Sequence, residues 1–200
     1  TSLPYTDNAT YTNYVVIDDN GEITKTEVLN VAGQQIKLGF NSATYPVGES
    51  ALRFDTSSAV ATGKTPAGTT NFVNTIKESV IKTNITKPAG SGSPSRTTDA
   101  ILLPKGVYRV TTRLAGNFSG SNMGNKMSIK VIVNNSEYSF GDGIKKGNNT
   151  LESSTVFSEV IILPEAQELD FTIVEEQNSF KITAPVNNIF TSILMIERLR

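Results

Sequence analysis

Val107-Tyr108-Arg109-Val110-Thr111-Thr112-Arg113-Leu114-Ala115 decides the fold class. Tyr108, Val110, Thr112 and Leu114 fall on one side of this stretch, and Arg109, Thr111 and Arg113 on the other. A period of two with one apolar face marks a half-buried antiparallel strand. Just upstream, Pro104-Lys105-Gly106 reads as a turn, and Ala100–Leu103 as the apolar run before it.

The same pattern continues toward the C-terminus. Lys126–Val133 places Met127, Ile129, Val131 and Val133 on one face. Ser154–Leu163 is a further strand, closed by Pro164-Glu165, and Leu169, Phe171 and Ile173 alternate in the next one. The last strand, Ile189–Leu199 (IFTSILMIERL), is apolar on both faces: Ile189, Ile193 and Met195 point one way, Phe190, Leu194 and Ile196 the other. A strand apolar on both sides needs a second covering surface. The expected cover is a neighbouring subunit, with Ile189, Thr191, Ile193 and Met195 at the contact. The alternative is cover by the chain's own N-terminal segment.

Toward the N-terminus, Tyr11–Asp18 and Glu22–Leu29 flank Asp19-Asn20-Gly21. Asn and Gly tolerate the positive φ of a tight turn, so a hairpin is expected. Gln34–Phe40 is a further strand candidate and Glu49–Phe54 a weaker one. Thr56–Thr70 and Lys87–Thr98 are rich in turn formers and read as a linker and a loop. Phe72–Ile85 carries a helix-like spacing at Phe72, Ile76 and Val80, but its Val, Ile and Thr content favours strand. Short strands punctuated by turns argue a sandwich or jelly roll. The expected division is a β-rich attachment or stalk segment at 1–70 and a head at 71–200.

Composition narrows the chemistry. The chain of 200 residues lacks Cys, His and Trp, which excludes disulfides, thiolate or imidazole metal sites, and Ser-His-Asp or Cys-His catalysis. Its 18 basic and 19 acidic residues give a net charge of −1, so no global field draws it to nucleic acid or membrane. No apolar run approaches the ~18 residues of a membrane-spanning helix. Thr1-Ser2-Leu3-Pro4 does not open like a signal peptide. Abundant Asn, Ser, Thr and Gly with little charge is a composition common among extracellular and virion β proteins.

Few residues remain for chemistry, and no catalytic or metal residue is assigned. Gly63-Lys64-Thr65 ends like a phosphate-binding loop, but Ser58 stands where the upstream glycine belongs. Asp18-Asp19 and Glu175-Glu176 are the carboxylate pairs, yet neighbours in a strand point to opposite faces, whereas glycoside hydrolysis needs two carboxylates across a cleft. Asp18, Asp19, Asn20 and Glu22, or Asp142 with nearby carbonyls, offer oxygen ligands for calcium without the EF-hand spacing. Turn stabilisation explains them equally well. Binding is expected at polar loops: Asn117, Phe118, Ser121 and Asn122 in the loop Gly116–Asn125, and Tyr138 and Asp142 beside or within Gly141–Asn149. Phe118 has a second reading as a loop anchor.

From Ala100 onward the chain resembles the C1q/TNF-like jelly-roll superfamily. Leu103-Pro104-Lys105-Gly106-Val107-Tyr108-Arg109-Val110 is similar to that family's lead into a central strand. Val160-Ile161-Ile162-Leu163 with Glu168-Leu169-Asp170-Phe171-Thr172-Ile173 resembles its paired strands, and Phe190–Glu197 its terminal inner strand. The resemblance implies an all-β antiparallel jelly roll that forms a homotrimer through the sheet holding the final strand. Asn13–Lys25 is also similar to hairpins in fibre, spike and surface proteins of bacteria and their phages. Together the two resemblances imply a non-enzymatic virion fibre or spike. Its N-terminal segment would meet other virion proteins and its head a host receptor or glycan. The alternatives are a secreted or surface-anchored bacterial adhesin or lectin, and a carboxylate-dependent polysaccharide-degrading enzyme.

Overall fold

A computed structural model describes residues 13–17, 23–27, 33–55, 73–87, 96–119, 125–133, 136–145, 153–176, 178–186 and 190–199. The chain divides into two units, residues 1–32 and 33–200. In the first unit, β1 (Asn13–Ile17) pairs antiparallel with β2 (Ile23–Glu27), with Ile17 opposite Ile23. These are the arms of the expected hairpin; its turn lies outside the described residues.

The second unit begins with β3 (Gln35–Gly39), β4 (Thr44–Tyr45), β5 (Gly48–Ala51), β6 (Val73–Asn74) and β7 (Val80–Lys87). Next come β8 (Arg96–Leu103), β9 (Gly106–Phe118), β10 (Asn125–Val133), β11 (Ser136–Lys145) and β12 (Ser153–Leu163). The chain closes with β13 (Gln167–Glu175), β14 (Phe180–Ile182) and β15 (Ile193–Arg198).

These strands form two antiparallel sheets. In the first, β9 is flanked on one side by β12 and on the other by β15 and then β14; beyond β15 lie β3 and β6, and beyond β14 lies β4. In the second, β13 has β10 and then β11 on one side; its other side is shared by β8, which leads to β7, and by β5. The chain passes repeatedly between the sheets: β8 to β9, β9 to β10, β11 to β12, β12 to β13, and back to β14 and β15. The fold is an all-β jelly-roll sandwich of antiparallel strands.

The alternation read from Val107–Ala115 fixes which side chains fill the sandwich. Tyr108, Val110, Thr112 and Leu114 are buried, Arg109 is exposed, and Thr111 and Arg113 are half-buried. From the facing sheet come Ile101 and Leu103 (β8), Met127, Ile129, Val131 and Val133 (β10), and Leu169, Phe171 and Ile173 (β13). The Tyr108 hydroxyl donates to the Pro104 carbonyl at 2.7 Å, so this buried ring keeps its polar tip satisfied.

Several expectations change. The expected loops Lys87–Thr98 and Gly116–Asn125 are shorter, because Lys87 ends β7, Arg96–Thr98 opens β8 and Gly116–Phe118 belongs to β9. The boundary falls at 32/33 rather than 70/71, because Ile36, Leu38, Phe40, Tyr45, Leu52 and Phe54 are core residues and β3 pairs with the final strand. Phe72–Ile85 is not one strand: β6 and β7 are separated by a turn at Lys77-Glu78, where Glu78 takes a φ of 66°. Gly141–Asn149 is not all loop, since β11 runs through Lys145. Gly141 is the unpaired residue where the β10–β11 register shifts, a bulge that glycine suits. Phe190 does not share a face with Leu194 and Ile196. The last strand starts at Ile193, after a bend at Thr191-Ser192, and the Phe190 ring sits over Gly39.

The outer surface of the second sheet is sealed by ion pairs. Asp170 is fully buried beneath Lys87 (2.6 Å) and Arg96, and Arg96 also donates to Thr172 at 2.9 Å. Glu168 bridges Lys82 (2.7 Å) and Lys87 (3.1 Å), which hold its carboxyl below the usual range against the upward push of partial burial. Glu49 on β5 pairs with Lys130 on β10 across β13.

Candidate functional site

The outer surface of the first sheet is built differently. Cross-strand register sets its rows, because residues opposite one another share a face. Ile193 lies between Gly39 and Arg113, and Arg113 lies opposite Val156. Met195 lies between Lys37 and Thr111, and Thr111 opposite Ser158. Glu197 lies between Gln35 and Arg109, and Arg109 opposite Val160. Ile162 extends the β12 edge of this face.

Three of these side chains stand in water: Val156 is 59% exposed, Val160 47% and Ile162 70%. Ile193 and Met195, on the far side of the β9 row, are half-buried. The polar groups of the face are mostly tied down: Thr111 and Ser158 hydroxyls lie 2.9 Å apart, Arg109 meets Glu197 at 3.2 Å, and Arg113 donates from Nε to the Thr191 carbonyl at 2.7 Å. Contiguous exposed aliphatics on a sheet face mark an interaction surface more strongly than scattered ones do.

Phe190 covers one end of this face. A Cβ on Gly39 would stand 2.4 Å from the Phe190 ring, so glycine is what lets the ring lie flat against β3. The chain thus supplies part of its own cover from the segment before β15.

β12 is an edge strand of the first sheet, and edge strands invite unwanted pairing. Glu159 blocks this: it falls on the core-side register opposite Val110, yet it is exposed, and its Oε1 accepts the Val160 amide at 3.0 Å. Contact through the flat face is therefore favoured over strand addition at this edge.

The residues expected to bind at loops are scattered. Phe118 is buried, its ring centroid 5.0 Å from that of Phe180, so it anchors the end of β9 and is not presented to a ligand. Asn117 is half-buried on β9, with its Oδ1 buried and unpartnered. Tyr138 and Asp142 lie on β11, opposite Val131 and Ser128. Ser121, Asn122 and Ile189 lie outside the described residues, as do Asp18, Asp19, Asn20 and Glu22. Thr191 precedes β15, with its Oγ1 buried and unpartnered. Among the described residues no three carboxylates gather as a metal site. Glu175 points into the core and Glu176 is exposed, so this pair flanks no common cleft.

Sequence reading missed Val156, Val160 and Ile162 as surface residues. In STVFSEVIIL the apolar content on both faces was the available signal, the same one that singled out the final strand.

No family model and no curated protein matches the sequence. Among solved structures, the crystal structure of murine APRIL superimposes with a TM-score of 0.44 at 6% identity, over 83% of this chain and 100% of that one.

Proposed function

We propose that the chain is a non-enzymatic binding protein that assembles as a homotrimer through the outer face of the β12-β9-β15-β3 sheet. The observation that carries this reading is the exposure of Val156, Val160 and Ile162 on the same sheet face as half-buried Ile193 and Met195. Burying such a face stabilises association at about 25 cal/mol per Å² of apolar surface, before the costs of immobilisation. The jelly-roll fold and the two-faced last strand support the trimer. The proposed setting is a virion fibre or spike, with residues 1–32 meeting other virion proteins and the head meeting a host receptor or glycan. Asn117, Ser121, Asn122, Tyr138 and Asp142 are the proposed ligand contacts, and no cofactor is required.

Light scattering over about two decades of concentration tests the assembly. The wild type is expected at three times the chain mass. Ile193→Asp is expected to run as a folded monomer, because assembly would strip the remaining water from a carboxylate and from Arg113 beside it, at a cost of ~2 kcal/mol or more per subunit. A folded trimer carrying Ile193→Asp overturns the face assignment, and a monomeric wild type overturns the trimer.

A further inference from the structure

Three carboxylates among the described residues are buried to 1% exposure or less: Asp99, Asp170 and Glu175. Two have partners. Asp99 accepts the Phe54 amide at 2.7 Å and the Asn84 amide at 2.8 Å, and meets Arg53 at 2.9 Å. Asp170 lies under Lys87 and Arg96. Glu175 differs: neither carboxyl oxygen has a hydrogen-bond partner.

The strand pattern explains why. Leu169, Phe171 and Ile173 on β13 face the core, and Glu175 continues their register. On one flank its cross-strand neighbour is Met127, a buried thioether; on the other it is Gly48, which has no side chain. Neither supplies an N–H or O–H side-chain donor. Among the described side chains, Glu168 and Asp170 on β13, Glu49 on β5 and Lys130 on β10 turn the other way, facing outward in ion pairs. Core-facing residues of the opposite sheet include the titratable Tyr45 and Tyr108, both raised chiefly by burial, beside apolar Phe118, Phe180 and Ile182.

We propose that Glu175 is a proton-operated latch: the end of the sandwich formed by β5, β13 and β10 closes around the neutral acid and loosens when that acid ionises. An uncompensated carboxylate is strongly disfavoured among these neighbours, whereas the protonated acid is tolerated. Burial alone pushes the carboxyl from 4.5 to about 8. Between those values the unfolded chain has released a proton that the folded chain still holds. Stability is therefore greatest below the unfolded value and declines as pH rises, until the folded acid ionises too. The latch would make this end of the head sensitive to mildly alkaline surroundings, independently of how copies associate.

Urea unfolding of the full chain from about pH 5 to 9, wild type against Glu175→Gln, tests this. The wild-type unfolding constant should rise relative to the variant's by about tenfold per pH unit between about pH 5 and 7.5, then level off near 8. Parallel profiles overturn the proposal. Should Glu175→Gln fail to fold, carbon-13 titration of the Glu175 carboxyl in the wild type decides. A midpoint near 8 supports the latch, and an ordinary carboxylate midpoint overturns it.

Discussion

The two sheets of this sandwich share one core but finish their outer faces in opposite ways. On the second sheet, Lys82, Lys87, Arg96 and Lys130 fold over Glu168, Asp170 and Glu49, so that even a carboxylate at 0% exposure has two cations above it. On the first, Val156, Val160 and Ile162 meet water directly, and the Arg109–Glu197 pair lies between half-exposed partners. One face completes its own interactions within the chain; the other leaves apolar area that only another surface can cover. The contrast teaches that the strand pattern alone does not mark a face for association. What matters is whether long charged side chains from the same sheet reach across it.

Both faces depend on residues 33–55, and the largest effect should come from removing them. Deleting residues 1–70 takes away β3, β4 and β5, with Ile36, Leu38, Phe40, Tyr45, Leu52 and Phe54 from the core. Each large buried residue lost costs about 2–5 kcal/mol, so the sum exceeds the ~5–15 kcal/mol stability of a typical domain. That truncation is expected to be unfolded by near-ultraviolet dichroism. Deleting residues 1–32 should leave a cooperative, folded unit; a folded product of the longer deletion would break the assignment.

Next comes the sealed face itself. Asp170→Ala leaves Lys87 and Arg96 without their buried counter-charge, and removal of one partner from a buried cluster typically costs about 3–5 kcal/mol. Urea unfolding should show that loss, while the mass in solution stays that of the wild type. A changed mass would mean that the second sheet also takes part in assembly, and the comparison between faces would fail.

The fold was legible because period-two patterning is a local signal. Tyr108, Val110, Thr112 and Leu114 announce their face from sequence alone, and Ile193 and Met195 were separable from Leu194 and Ile196 by parity. What was not legible is long-range. QQIKLGF looks like any short strand; that it pairs with the final strand, 150 and more residues away, is decided by tertiary pairing. Parity groups Phe190 with Leu194 and Ile196, but parity holds only within a strand, and the bend at Thr191-Ser192 breaks it. Phe118 read as a loop aromatic because the end of β9 carries Gly, Asn and Ser, which usually mark turns; its burial on Phe180 required a partner 62 residues later in the chain. In the sequence, Glu175-Glu176 is a carboxylate pair whose members point to opposite faces. Nothing in the sequence marks Glu175 as core-facing except its parity with Leu169, Phe171 and Ile173, which points inward where a carboxylate is least expected.

The smallest effect sharpens the comparison most. Arg109 and Glu197 are both substantially exposed, and exposed ion pairs contribute about 0–1 kcal/mol to folding. Arg109→Ala should therefore leave urea unfolding of the monomeric Ile193→Asp background nearly unchanged. In the otherwise wild-type chain the pair sits in the row with Val160, within the proposed contact, where desolvation makes loss of one partner felt. Dissociation measured by dilution should then be weakened by more than the folding change and should respond to salt. If Arg109→Ala shifts folding and assembly by the same small amount, the row lies outside the contact. The association surface must then be narrowed toward Ile193, Met195 and Val156, at the end of the face that Phe190 covers.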